Sequence, residues 1–176
     1  QFKKEITKDL KQINYDISYI GLTQPSKIKL SSDAGELAAL YVKEEGLNAI
    51  TEQTDISQGM FRVLSLIIQI NYSILALNPT CILIDDIGEG LDFERSCALI
   101  EVLLNKIKDS NVQLIMATND RFIMNNVPLE MWAILQREKS RCKIYNAKNS
   151  KKKFEEFRFT GLNNFDFFAS NFLDTL

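Results

Sequence analysis

Residues 55 to 77 read DISQGMFRVLSLIIQINYSILAL: a serine able to cap a helix, then a run that is apolar on most helical faces. A helix apolar nearly all round must lie at the centre of its domain, covered from more than one side. The rest of the chain has to supply that cover. Asn78-Pro79 stops the helix, and CILID (81–85) reads as a continuous apolar strand. FERSCALIEVLLNKIKDS (93–110) is an amphipathic helix with Asp92 as its N-cap, and VQLIMAT (112–118) is a second buried strand. Continuous apolar strands alternating with helices predict an α/β fold whose parallel core sheet is covered on both faces.

The flanks are read around that centre. Phe2, Ile6, Leu10, Ile13, Ile17 and Ile20 recur at three- and four-residue spacing, which predicts an amphipathic helix over 1–20 that ends an insertion or arm. Residues 21–176 then form one lobe. KIKL (27–30) and LAALYV (37–42), joined by SSDAGE, predict a hairpin, as do WAILQR (132–137) and CKIYNA (142–147). These hairpins are expected at the edges of the core sheet. Seven of the eleven phenylalanines lie in KKKFEEFRFTGLNNFDFFASNFLDTL, and they are expected to pack over a sheet edge, with Trp132 in the core. At 176 residues and 45% hydrophobic, with no internal repeat and no disordered linker, a single domain is expected.

Composition removes several functions. Lys and Arg number 21 against 23 acids, so the net charge of −2 exerts no global pull on nucleic acid or on an anionic membrane, although a local basic patch is left open. No apolar run is long enough to span a bilayer, and QFKKEITKDL lacks the apolar core of a signal peptide, so the expected location is cytoplasmic. Cys81, Cys97 and Cys142 are widely spaced with no CxxC pair, against a disulfide framework or a thiolate zinc site. Histidine is absent, which removes Ser-His-Asp and Cys-His nucleophiles and His-ligated metals together. Chemistry here must run on carboxylates, hydroxyls and amides.

Two adjacent carboxylates in CILIDDIGEGLD (81–92) therefore matter most. Like charges at the end of a buried strand need a cation, a hydrogen-bond network or solvent access. Ligands of parallel α/β sheets gather beyond the carboxyl ends of the strands, where Asp85 and Asp86 close one strand and Thr118, Asn119 and Asp120 the next. The pair suits Mg²⁺ bound with a nucleotide; the bland reading is a turn in which both acids accept backbone N–H bonds. At Ser57 to Gly59, a hydroxyl and a glycine at a helix N-terminus suit phosphate, and an ordinary N-cap is the alternative.

DDIGEGLD resembles the Walker B end and D-loop of ABC-type ATPases, ISQGMFR is similar to their signature motif, and MATND is similar to the switch segment of the following strand. The order and approximate spacing are also those of the family, from about residue 27 to 147. The resemblance implies a P-loop NTPase-like lobe that binds ATP and Mg²⁺ at a dimer interface. Asp85 would bind Mg²⁺ through its water shell, and Asp86 would be the catalytic carboxylate. Glu89 to Asp92 would form the D-loop, and Asn119 would hold the switch position. Ser57, Gln58 and Gly59 would touch the γ-phosphate of a nucleotide held by the other subunit of a homodimer. The serine-X-glycine signature and phenylalanine-rich ending are more similar to soluble ATPases of DNA repair and anti-phage defence than to transporter subunits.

This sequence departs from the pattern at three points. Aspartate stands at 86 where the family has Glu, one methylene shorter, and Asn119 stands where it has His, uncharged and unable to shuttle protons. No GxxxxGK[ST] is present, so the Walker A cradle is expected on an N-terminal lobe preceding Gln1. The first two departures favour the alternative of a non-hydrolysing nucleotide-dependent scaffold or sensor; an α/β module unrelated to nucleotides is the third reading. Arg62 and Arg121 are expected in surface salt bridges and Lys151 to Lys153 in solvent. An effector protein is a further expected partner, and its identity is not written in these residues.

Overall fold

The computed structural model describes residues 1–28 and 37–174 and divides into two compact units, 1–117 and 118–176. The expected turn at 31–36 and half of the expected strand at 27–30 lie outside the described residues; Lys27 and Ile28 are not in a strand.

The first unit opens with α1 (Phe2–Gln12), followed by β1 (Ile17–Thr23). The helix is shorter than its spacing predicts. Asn14 turns the chain at φ 60°, and Ile17 and Ile20 belong to the strand. In a regular strand a three-residue separation puts side chains on opposite faces. A register shift between Ile17 and Tyr19 changes that, so both isoleucines are buried and imitate helical spacing. β1 pairs antiparallel with β2 (Ala39–Glu44), which pairs with β3 (Thr51–Glu52).

The central helix is α2 (Gln58–Leu75), with Ser57 as its N-cap. It leads to β4 (Thr80–Ile84), α3 (Phe93–Ile107) and β5 (Val112–Met116). β4 and β5 pair in parallel with Ile82 opposite Leu114 and Leu83 opposite Ile115. Among the described residues this parallel sheet has two strands, and three separate sheets form instead of one core sheet with hairpins at its edges. The two-sided cover expected for the strands is also not found. Ile82 and Val112 are buried, whereas Leu83 is 74% and Ile115 53% exposed on the opposite face, beside exposed Cys81.

α1 packs on α2 and α3. The three helices share a buried polar tie: Asn71 Nδ2 donates to Asp9 Oδ2 at 2.7 Å and to the Ile67 carbonyl at 2.9 Å. Lys106 Nζ lies 3.0 Å from both Asp9 Oδ2 and Asn71 Oδ1. Around it Ile6, Leu10, Leu64, Ile67, Ile70, Ile100 and Leu103 are fully buried.

The second unit contains α4 (Arg121–Asn126), a 3₁₀ turn at Leu129–Met131 and the expected antiparallel hairpin, β6 (Ala133–Glu138) with β7 (Arg141–Asn146). α5 (Lys151–Arg158), α6 (Asn164–Ala169) and a 3₁₀ turn at Phe172–Asp174 follow. Part of the phenylalanine tail packs inward, into a core of its own in place of the expected sheet edge, while Phe159 and Phe168 are exposed. Phe154, Phe157 and Phe167 form a core with Leu129, and the ring centroids of Phe154 and Phe157 lie 4.7 and 4.9 Å from that of Phe167. Trp132 and Ile134 pack against this core, and Trp132 Nε1 donates to the Val127 carbonyl at 3.1 Å. Among the described residues no helix is long and apolar enough to cross a membrane.

Asp9→Ala would leave the Lys106 ammonium and the Asn71 amide without their shared acceptor. It is expected to cost about 3 kcal/mol in chemical denaturation; a loss under about 1 kcal/mol would show the tie contributes little.

Candidate functional site

The site in the first unit is built where the start of α2 meets the turn after β4. Ser57 Oγ accepts the Met60 N–H at 3.3 Å, so the serine caps the helix. Ser57 and Gln58 are exposed, while Gly59 is buried. The glycine has a packing reason: a Cβ there would lie 2.1 Å from the Gly90 carbonyl oxygen, and one on Gly90 would lie 3.3 Å from the backbone of Gly59. The start of α2 and the turn after β4 thus touch backbone to backbone. The sequence suggests a ligand-facing role for Gly59 and a place in the expected loop for Gly90, but not their contact; a glycine in each of two separated segments is the available signal.

Asp85 and Asp86 follow β4, and both are exposed. Solvent access is what the described residues give the paired charges. Asp86 has φ 50°, Gly88 99° and Gly90 79°, so the turn winds through the left-handed region three times. Aspartate tolerates that region better than most L-residues. Backbone bonds close the turn, Glu89 N–H to the Asp86 carbonyl at 3.2 Å and Leu91 N–H to Gly88 at 3.0 Å. The Ile87 N–H donates to the Ala117 carbonyl at 3.1 Å and ties the turn to the end of β5.

Arg62, one turn along α2 from Gly59, pairs with Glu89 and donates Nη2 to the Asp85 carbonyl at 3.4 Å. The salt bridge read from sequence is present. Asp92 caps α3 as expected, its Oδ1 accepting the Arg95 N–H at 2.9 Å, and it also pairs with the Arg95 guanidinium. The backbone hydrogen bond, with the Arg95 charge, holds its carboxyl below the usual range.

These elements border a groove of about 230 Å³ lined by Gly59, Arg62, Leu66, Leu83, Asp86 and Glu89 among others. A shallower depression of about 710 Å³, lined by Lys4, Lys8, Lys11, Ser18 and Glu45, holds none of the predicted site residues. No group of three or more His, Cys, Asp or Glu side chains able to hold a metal occurs among the described residues.

Asn119 belongs to the second unit, where it is exposed in the turn before α4. Its neighbour Asp120 caps that helix, accepting the Phe122 and Ile123 N–H groups at 2.7 and 3.1 Å, and Thr118 Oγ accepts the Asp120 N–H at 3.1 Å. The Arg121 guanidinium lies over the Phe122 ring at 4.7 Å, and among the described residues it makes this stacking contact and not the expected salt bridge. Ser57, Gly59, Asp86 and Glu89 are thus brought together within one unit.

No protein-family model matches the sequence, and no curated protein does. Solved structures match at the level of fold. One is an SMC ATPase chain described for ATP-driven dimerization and DNA-stimulated activation, at TM-score 0.59 and 16% identity over 89% of this chain and 91% of that one. The Smc head domain of Pyrococcus yayanosii with a coiled coil and joint gives 0.59 and 15% over 89% of this chain and 29% of its own. An SmcHead bound to the C-winged helix domain of ScpA gives 0.60 and 13% over 86% and 44%. The chain therefore shares its fold with head domains of the ABC-type SMC ATPases, and it spans less than half of the last two.

Two outcomes are expected. Gly59→Ala, which in an open helix would stabilise, should instead cost about 2 kcal/mol because the Gly90 carbonyl must move; thermal unfolding checks the sign. The Asp92 carboxyl sits low in the folded state, so its contribution is complete above the ordinary aspartate range and is lost as pH falls below about 4 through the lowered value. Asp92→Ala should flatten that acid limb in denaturant midpoints measured from about pH 5 to pH 2.

Proposed function

We propose that this chain is the C-terminal lobe of an ABC-type ATPase that binds ATP with Mg²⁺ at a dimer interface and hydrolyses the γ-phosphate bond to drive a conformational switch. The observation that carries this reading is the exposed acid pair beyond β4, locked beside the serine-capped start of α2 through the contact of Gly59 with Gly90. The fold shared with SMC ATPase heads supports it.

The donors fit magnesium. Mg²⁺ keeps several waters and takes one or two carboxylates plus substrate phosphates, and Asp85 and Asp86 are two exposed carboxylates of that kind. Asp85 would hold the ion through its water shell, and the ion would supply neutralisation of charge on the phosphates. Asp86 orients or deprotonates the attacking water, and Asn119 donates an amide hydrogen bond to the γ-phosphate. Ser57, Gln58 and Gly59 offer a hydroxyl and the N–H end of α2 to the γ-phosphate held by a second copy, with Glu89 to Asp92 as the D-loop.

The phosphate cradle and its lysine come from another lobe, because no Walker A motif is present in these residues. The uncovered face of the parallel pair, Leu83 and Ile115, is the surface that lobe would cover, since parallel sheets are buried on both faces. α1 would stand at the base of an arm, as the neighbouring Smc head with its coiled coil suggests. An effector protein and nucleic acid are the expected partners, as in the ScpA-bound and DNA-stimulated neighbours, in a role of DNA repair or anti-phage defence. A second reading, a nucleotide-dependent switch without turnover, is favoured by the shorter acid at Asp86 and the uncharged Asn119.

With the Walker A lobe supplied, Asp86→Asn is expected to lower phosphate release about 100-fold or more while ATP-dependent dimers persist. Release unchanged by that variant would overturn the role of Asp86. Dimers without detectable release in the unaltered protein would favour the switch.

A further inference from the structure

We propose that Arg62 is a positioning residue for the acid-pair turn, acting through the peptide that precedes Asp86. The inference rests on the reading of Asp86 given above. From the second turn of α2 the guanidinium reaches both ends of one turn: the Asp85 carbonyl at 3.4 Å and the Glu89 carboxylate. The Asp85 carbonyl belongs to the peptide that joins Asp85 to Asp86. Holding it fixes the plane from which the Asp86 side chain departs.

That hold matters because Asp86 sits in the left-handed region at φ 50°. Such a conformation persists where the surroundings over-determine it, and otherwise relaxes. The Gly59 contact with Gly90 fixes the far end of the same turn, and the Ile87 bond to Ala117 fixes its middle. Arg62 secures the near end and Glu89 together. The planar fork is required, because its two terminal nitrogens diverge toward two acceptors whereas a lysine offers a single point charge.

A merely structural ion pair makes a different prediction. The Arg62 and Glu89 side chains are 38% and 57% exposed, and pairs so exposed contribute little to stability. The effect of Arg62 should therefore appear in the orientation of the turn and in turnover more than in melting temperature.

The test uses this protein together with the lobe that supplies its Walker A motif, assayed for ATP hydrolysis, with amide exchange followed over residues 86–91. Arg62→Gln and Arg62→Lys are expected to lower kcat about tenfold or more, with KM for ATP within about twofold, and to speed exchange in the turn. Glu89→Gln should fall between these variants and the unaltered protein. Unchanged kcat in Arg62→Gln, where Asp86→Asn abolishes turnover, would overturn the proposal. If Asp86→Asn has no effect, or no turnover exists, the reading of Asp86 fails separately. Exchange then decides alone: faster exchange in Arg62→Gln supports the anchoring, and unaltered exchange overturns it. Should Arg62→Gln fail to fold, Arg62→Lys supplies the same two readouts.

Discussion

Two glycines from separate motifs touch, and the site follows from that contact. With the Gly90 carbonyl oxygen 2.1 Å from where a Gly59 side chain would begin, the helix and the turn approach closer than any side chain at position 59 would allow. The approach brings the capped start of α2 beside the exposed end of β4. Gly59 permits the contact by lacking a Cβ, and Gly90, at φ 79°, is the glycine that bends the chain. Asp92 then caps that helix. Helix start, acid pair and loop thus form one connected unit of backbone, with the carboxylates facing solvent at its rim.

The same unit leaves an apolar face open. Fully burying a leucine or isoleucine side chain is worth about 1.5–3 kcal/mol, so covering the exposed parts of Leu83 and Ile115 would yield roughly 3 kcal/mol. Association of free partners costs an estimated 4–15 kcal/mol. Two side chains cannot supply that. A covering surface would have to bring a larger contact area or be tethered.

Much of the fold was legible because its signals are local. Ser57 and Asp92 cap the helices they were expected to cap, and the run from α2 through β5 follows the apolar periodicity. What was hidden depended on contacts between distant residues. The bulge in β1 gave Ile17 and Ile20 a helical spacing, and only pairing with β2 reveals it as a strand. The division after Ala117 has no glycine-rich or charged linker, because a strand simply runs into a polar turn. The phenylalanine tail signals burial but not its place: Phe154, Phe157 and Phe167 make the core of a second unit where a sheet edge is expected. Within the site, the acid pair was visible as adjacent letters. Its link to Arg62 was not, because a helix and a turn meet there only in three dimensions.

Aspartate at position 86 connects these observations to chemistry. A left-handed position favours a short polar side chain that can bond locally, so the turn and the shorter acid are mutually consistent. A glutamate would gain a methylene of reach but lose that compatibility. The carboxylate therefore depends on its backbone for aim more than a longer side chain would, since it has one fewer rotatable bond with which to correct an error. Under the proposed function, rigidity of the turn would be the variable that separates hydrolysis from binding alone. On that reading, a turn held by its three ties would present Asp86 to a water; loosened, it would still leave Ser57 and the start of α2 to meet a phosphate. An enzyme and a nucleotide-dependent switch built on this lobe would then differ less in which residues they carry than in how tightly α2 holds the chain between Asp85 and Gly90.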